Sequence, residues 1–440
     1  MLEGRLDRIP LENVSKELNP VVFLTSGTRG DVQPLTALAR GLQSQGVAVR
    51  VAAPPAFQKI VEAGSVPYAP LEGNPSDLLT APGKQSALTF NENNPLNGAR
   101  SALDYLRAAQ PVYAQMIENG WRVSQDASAI IIGLSTIWGT SIAEALKVPC
   151  IGAFLQPVSA TGEFPSPLLP SMLRVGKAYN KLTYWLMSQM VHIPWRKVIN
   201  HWRIVSLRLK PLPLFYPSFE KMDMIVYGFS KSVLPFPRDW PSSRHITGYW
   251  SVRSTSYNPS SELASFLSSG VTPVYFGFGS PGMHEPRDLI ERLLQAIVQA
   301  DIRAILSVPA GVDAASSHQN VFILREEVPH SWLFPQMGGI VHHGGAGTSG
   351  EALKAGVPSL IVPLAVDQFF WGKHIHSLGV SPRPLPQREL TVEKLTKALK
   401  EMQEGGMKEA ARKLGESLRS EDGVTNAVGV IKKFIEIRAG

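Results

Sequence analysis

The stretch Gly338–Gly356 reads GGIVHHGGAGTSGEALKAG and constrains the chain more than any other. An apolar strand, Gly339–His342, runs into a glycine-rich turn and then a short helix that stops at Gly356, and Val357–Pro363 reads as the next strand. In such a βαβ unit the glycines let the backbone approach a phosphate closely, and the helix N-terminus aims free N–H groups and its positive dipole end at it. Gly345, Ala346 and Gly347 form that cradle, Thr348 can add a hydroxyl, and His343 stands at the strand exit. One helical turn on, Glu351 suits a ribose diol. Directly after the next strand, Asp367-Gln368 suits a pair of adjacent sugar hydroxyls. An ordinary glycine turn is the bland alternative. The cradle, the ribose carboxylate and the sugar clamp, met in that order, argue for a nucleotide-sugar site.

The same pattern occurs elsewhere in the chain. Val21–Ser26 is a short apolar strand, Val32–Gln45 carries helical spacing through Leu35, Leu38, Ala39 and Leu42, and Val47–Ala53 is a second strand. Ala129–Leu134 and Cys150–Leu155 read as buried strands with a short helix, Thr140–Leu146, between them. The alternation restarts with strand Val271–Phe278, helix Pro286–Ala300 and strand Ile302–Val308. The fold class is therefore α/β: two Rossmann-like, doubly wound domains in tandem, facing a central cleft. The expected layout is an N-terminal extension at 1–19 and a first domain at 20–240. A Pro-rich linker at 241–261 then leads to a second domain at 262–440 that includes the C-terminal helices. Residues 156–215 break the sheet pattern and read as one or two amphipathic helices inserted in the first domain.

With 440 residues the chain has room for two domains, and 44% hydrophobic against 18% charged residues excludes a disordered polymer. Cys150 is the only cysteine, so no internal disulfide forms, and its apolar surroundings predict a buried thiol. The first residues carry mixed charge and no apolar signal core, and no apolar run reaches a membrane-spanning length, so a cytoplasmic chain is expected. The net charge of +7 is local: between Glu163 and Glu220 stand eight Lys and Arg and no acidic residue. That basic patch lacks any nucleic-acid recognition motif. Trp185, Trp195 and Trp202 beside Lys181, Arg196, Lys197 and Arg203 suit an anionic membrane surface along 171–210, with an acceptor-cleft wall as the alternative.

Three segments carry a resemblance: Val328-Pro329-His330-Ser331-Trp332-Leu333-Phe334-Pro335, His342-His343-Gly344-Gly345-Ala346-Gly347-Thr348 and Asp367-Gln368-Phe369-Phe370-Trp371-Gly372. They resemble the sterol glucosyltransferases and their bacterial relatives, within the larger superfamily of GT-B glycosyltransferases. Gly27-Thr28-Arg29-Gly30-Asp31-Val32-Gln33-Pro34 is similar to the first loop of the same group. The resemblance implies a UDP-sugar donor on the second domain and an acceptor on the first. It assigns Asp31 to catalysis and packs the Val328 turn on the uracil ring. Arg29 and Gly30 read as support for the phosphate loop, with a merely solvated loop arginine as the alternative for Arg29. One position departs from the resemblance. Sterol glucosyltransferases tend to have a small residue where Glu351 stands, whereas plant and macrolide glycosyltransferases carry a glutamate there.

Glycosyl transfer must stabilise a leaving diphosphate, hold the sugar and take a proton from the acceptor hydroxyl. The chain contains no Asp-x-Asp, the usual metal-holding pair, so a metal-free solution without cofactor is expected. Helix N–H groups, Thr348 and Ser280, in the turn after strand Val274–Phe278, would take the charge; Ser280 reads equally as a plain turn serine. Asp31 is the candidate base; it also suits a helix cap, and the helix N-terminus should lower its pKa. Trp332 reads equally as a base-stacking or a core residue. The acceptor is expected to be a hydrophobic alcohol: a sterol, other terpenoid, lipid or polyketide. Two rivals remain at this point. A nucleotide-sugar epimerase would need an acid/base pair around the sugar. A non-catalytic UDP-binding partner should have lost Asp31 or Asp367-Gln368, and both are present.

Overall fold

The computed structural model describes residues 19–74, 95–169, 175–251, 257–278, 286–308, 318–364 and 367–439. Ser280 and Arg174 lie outside them. The first half runs β1 (Val21–Leu24), α1 (Arg29–Ser44), β2 (Val49–Ala53), α2 (Gln58–Ala63), β3 (Tyr68–Pro70) and α3 (Pro95–Arg122). It continues through β4 (Ala129–Ile132), α4 (Gly139–Leu146), β5 (Cys150–Phe154), α5 (Lys177–His192), α6 (Arg196–Val205), β6 (Met224–Tyr227) and β7 (Arg244–Ile246). The second half runs α7 (Ser261–Ser268), β8 (Val274–Gly277), α8 (Pro286–Gln299), β9 (Ala304–Ser307), β10 (Val321–Leu324), α9 (His330–Leu333), β11 (Gly339–His342) and α10 (Ala346–Ala355). After β12 (Ser359–Ile361) come α11 (Gln368–Ser377), α12 (Val392–Glu401), α13 (Gly405–Arg419) and α14 (Gly423–Ala439).

Two parallel sheets result, ordered β3-β2-β1-β4-β5-β6-β7 and β10-β9-β8-β11-β12. Strands such as β1, β4, β5 and β11 are buried along their whole length, as expected of strands covered on both faces by crossover helices. In each sheet the order reverses once, between β1 and β4 and between β8 and β11. Loops leaving the C-terminal ends of strands at such a switch point form a crevice, the place where open α/β sheets bind ligands. The turn after β1 leads into the first turn of α1 with Asp31, and the loop after β11 carries His343, so the chain order alone delivers both to switch points.

Three expectations are corrected. The 241–261 segment is not only linker: Arg244–Ile246 pairs in parallel with β6 as the edge strand of the first sheet, and Tyr249 and Trp250 are buried. Three residues give too little alternation to be seen in sequence. The last helix does not stay with the second domain. It packs along α1, where Gly41 leaves room for Val424 and Val428, and its Ala427 and Ile431 join the core of the first sheet. The third correction concerns the insert. Its helices α5 and α6 are present, but Trp202 is buried edge-on to Trp138 at 6.2 Å and Trp195 stacks on Tyr113 at 4.2 Å. Arg203 is buried too: Nη1 and Nη2 donate to the Glu144 carboxylate at 2.9 and 3.1 Å, and Nη1 also donates to Ser141 Oγ. Of the three tryptophans only Trp185 faces outward, in a ridge with Leu182, Leu186, Met190 and Ile193 and beside Phe215 at 5.6 Å. Cys150 is buried as expected, and burial pushes its thiol up.

Candidate functional site

The donor side is built by one short segment. At the end of β11 the backbone turns at Gly344, whose φ of +88° is open to glycine and whose missing side chain leaves room for Ile361. Gly345 then caps α10, so the N–H groups of Ala346, Gly347 and Thr348 have no earlier helical carbonyl to bond and point outward together. The His343 ring lies over Gly345, where any Cβ would sit 2.6 Å from its Nε2. Burial holds His343 below the usual imidazole range, and its Nδ1 is buried without a partner. His342 points the other way, as strand alternation requires, and its Nδ1 accepts from the Gly344 N–H at 3.1 Å. Burial also pushes His330 down to about 4, with Arg29 and His343 adding to the effect. The cradle is therefore lined by neutral rings and N–H dipoles, a setting that favours an incoming diphosphate without a fixed positive charge.

Glu351 sits on the second turn of α10, largely buried and 4.0 Å from the Lys354 ammonium, which also donates to Ser251 Oγ at 2.9 Å. Val328, with Pro329, precedes α9 and packs on the cluster around Leu333 and Phe334. Trp332 is half-buried with its ring 4.9 Å from Tyr257, which places it at the edge of that core. Asp367 caps α11 and is 9% exposed, and its Oδ2 has no hydrogen-bond partner. Burial pushes its carboxyl up to about 6; the side chains of Gln156 and Trp371 oppose the push and the Asp31 carboxylate adds to it. Gln368 has a second duty, since its Oε1 accepts from the Leu364 N–H at 2.7 Å and so closes the loop before α11.

Asp31 arrives from the other domain. It is the third residue of α1 and folds back so that Oδ2 accepts from the Thr28 N–H at 2.7 Å and from Thr28 Oγ1 at 2.9 Å. That is half of a capping box, the structural role its position suggests. Contrary to the sequence expectation, its pKa is raised: burial outweighs the two Thr28 bonds that lower it. A raised carboxyl is a better proton acceptor. Gly30 is uncrowded, and Arg29 donates to Glu327 Oε2 at 2.6 Å, an exposed ion pair that bridges the two domains beside the Val328 turn. Gly27 makes the fold-back of Asp31 possible, with φ at +109° and a would-be Cβ only 2.6 Å from Asp31 Oδ2. Gly27→Ala is therefore expected to displace the carboxylate and lower turnover by up to about 100-fold. Wild-type turnover of that variant on a good acceptor would show that the fold-back is dispensable.

The structure brings Asp31, Asp367 and the α10 N-terminus to one cleft. It also adds two residues that sequence reading passed over: Thr28, which holds Asp31, and Gln156 of the first domain, whose side chain acts to lower the Asp367 pKa. The Thr28–Asp31 spacing was a legible capping signal; nothing local marks Gln156. Among the described residues no group of three or more His, Cys, Asp or Glu is placed to hold a metal ion.

Two Rossmann-like parallel-sheet domains, with a glycine-rich strand–turn–helix on the second, are the architecture of a GT-B glycosyltransferase. Comparison with known proteins agrees. The glycosyltransferase family 28 N-terminal domain matches residues 21–165, and the erythromycin biosynthesis protein CIII-like C-terminal domain matches 291–436. Sterol 3-beta-glucosyltransferase UGT80B1 of Arabidopsis thaliana is 33% identical over 423 residues, covering 94% of this chain and 68% of its own length. The sterol 3-beta-glucosyltransferase of Emericella nidulans is 33% identical over 437 residues, covering 94% of this chain and 30% of its own. The chain thus spans under a third of that fungal relative and about two thirds of the plant one. The crystal structure of the kitacinnamycin glycosyltransferase shares the fold, with a TM-score of 0.67, 17% identity, and coverage of 94% of this chain and 98% of that one. The chain belongs to the sterol 3-beta-glucosyltransferase family.

Proposed function

We propose that the chain transfers glucose from UDP-glucose to the hydroxyl of a sterol or similarly apolar alcohol, with inversion and without a metal. The observation that carries this reading is the meeting of a carboxylate of raised pKa, Asp31, with a phosphate cradle and a sugar clamp across one cleft. The acceptor oxygen attacks the anomeric carbon as the bond to the diphosphate oxygen breaks. Asp31 takes the hydroxyl proton, and the α10 N–H groups with Thr348 receive the charge developing on the departing UDP. Attack from the face opposite the leaving group inverts the anomeric centre. Sterol as acceptor follows the names of the relatives; Glu351 keeps a polyketide or terpenoid aglycone as the second reading. Ser280, Arg29 and Gly30 belong to the proposed phosphate side, and Val328 to the uracil side.

Mass spectrometry of products from UDP-glucose, offered with sterols, diacylglycerol and polyketide aglycones, tests the reading. A hexosylated sterol, formed equally well in EDTA, is the expected result. No hexose transfer to any acceptor would refute it, and activity that vanishes in EDTA would refute the metal-free part.

An apolar acceptor is collected from a membrane, and we extend the proposal to peripheral attachment at an anionic inner surface. The attachment face is the outward ridge of α5, where Trp185 is 45% and Met190 61% exposed, flanked by the exposed Lys177 and Lys197. No helix among the described residues is long and apolar enough to cross a membrane. Sedimentation with anionic liposomes at low salt is expected, weakened by Leu186→Glu with Met190→Glu, since each basic residue near such a surface contributes about 1 kcal/mol and the ridge adds apolar burial. Equal, negligible sedimentation with anionic and neutral liposomes would remove the membrane claim.

A further inference from the structure

We infer that Lys354, held by Ser251 of the segment between the two sheets, is the positioning residue for Glu351, so that the ribose end of the donor site is set from outside the helix that carries it. This inference rests on the donor reading above. Glu351 and Lys354 stand three residues apart on α10, the spacing that brings two side chains together on a helix. Their side chains are 18% and 20% exposed, and the ammonium lies 4.0 Å from Glu351 Oε1. That distance is too long for a hydrogen bond. The ammonium therefore offsets the charge of a largely buried carboxylate without occupying the oxygens that would accept from a ribose diol. Lys354 Nζ instead donates to Ser251 Oγ at 2.9 Å, and this bond keeps it from closing on Glu351.

Ser251 is a fixed point because the residues before it are tied down. Thr247 Oγ1 donates to the Tyr227 carbonyl at 3.0 Å and accepts from Trp250 Nε1 at 2.9 Å. The Gly248 N–H donates to the Phe229 carbonyl at 3.0 Å, and Asn426 Nδ2 of α14 donates to the Thr247 carbonyl at 3.1 Å. Tyr249 is buried and lies across α10 at Gly350, where any Cβ would sit 2.5 Å from its ring. Gly350 and Lys354 are one helical turn apart, so the same ring reaches the lysine, with Nζ 6.0 Å from its centroid. From another side, Arg419 Nη1 of α13 donates to the Lys354 carbonyl at 2.6 Å, in the last turn of α10 where carbonyls lack helical partners. The backbone and the ammonium of Lys354 are thus held by two different elements. Removing the ammonium would leave Glu351 a buried charge without compensation. It would then take up a proton or turn toward water, and either change loses the paired acceptors.

Calorimetry on the intact chain with UDP and 2′-deoxy-UDP isolates the ribose contact, because the two ligands differ by one hydroxyl. Wild type is expected to bind UDP about tenfold or more tightly than 2′-deoxy-UDP, the effect of one hydrogen bond to a carboxylate. Lys354→Met keeps the stem and removes the charge, and it should largely erase that preference, chiefly by weakening UDP. Ser251→Ala should lower the preference part of the way, and Ser251→Thr, which keeps a hydroxyl, should retain it. A lysine that merely stiffened α10 would, on removal, weaken both nucleotides by the same factor. The wild-type ratio of affinities in Lys354→Met or in Ser251→Ala therefore overturns the assignment, whatever the absolute values. Ser251→Ala, a small change on an irregular segment, decides by itself if Lys354→Met fails to fold. Wild-type protein that binds both nucleotides alike, or Glu351→Ala that keeps the preference, brings down the ribose reading and this inference with it. A preference lost in Glu351→Ala but kept in the Lys354 and Ser251 variants sinks the inference alone.

Discussion

Asp31→Asn is expected to lower glycosyl transfer by about 100- to 10,000-fold, the usual range for loss of a general base, while UDP binds almost as to wild type. The substitution is nearly isosteric. Its amide oxygen can still accept from the Thr28 N–H and hydroxyl, so the capping contacts that begin α1 survive and the fold is preserved. What disappears is a carboxylate whose pKa burial has raised into a more basic range. Steady-state turnover with a good acceptor, beside calorimetry of UDP, separates the two effects. Near-native turnover would reduce Asp31 to a helix cap and send the search for the base elsewhere.

The donor side should divide between two carboxylates. Glu351→Ala is expected to weaken UDP and UDP-glucose alike, because both carry the ribose that Glu351 is proposed to hold. Asp367→Ala, and to a lesser degree Gln368→Ala, should weaken UDP-glucose far more than UDP. Removing a hydrogen bond to a charged group costs roughly 1.5–3 kcal/mol, or about 10- to 150-fold in affinity. Gln368 should show the smaller effect, because its Oε1 is already engaged by the Leu364 N–H. Asp367→Ala that binds UDP-glucose as wild type would end the sugar-clamp assignment.

The proposed donor half of the site is legible as a pattern because it is local. His343 to Thr348, Glu351 and Asp367 are set by one strand, one turn and one helix, whose apolar period and glycines are written consecutively. The strand–helix alternation gave the two sheets for the same reason. The readings that failed were of a different kind. The α5–α6 insert was read as membrane-facing, with Trp202 and Arg203 on that face, or as a cleft wall with inward aromatics; Trp202 and Arg203 turn inward, because Trp138 and Glu144 wait there from α4 and the turn before it. A helical wheel shows which residues share a face but not which face meets the core. The raised pKa of Asp31 was missed because a sequence displays the helix dipole and not the burial that outweighs it.

By itself the sequence determined the fold class and singled out the glycine-rich turn and Asp31 as candidates, since each depends on interactions within a few residues along the chain. Only the tertiary structure decided that α14 returns to α1 and that Asp31 and Asp367 share one electrostatic field. Those contacts join segments far apart in the chain, and their energy comes from burial and close packing that exist only once both sheets are assembled.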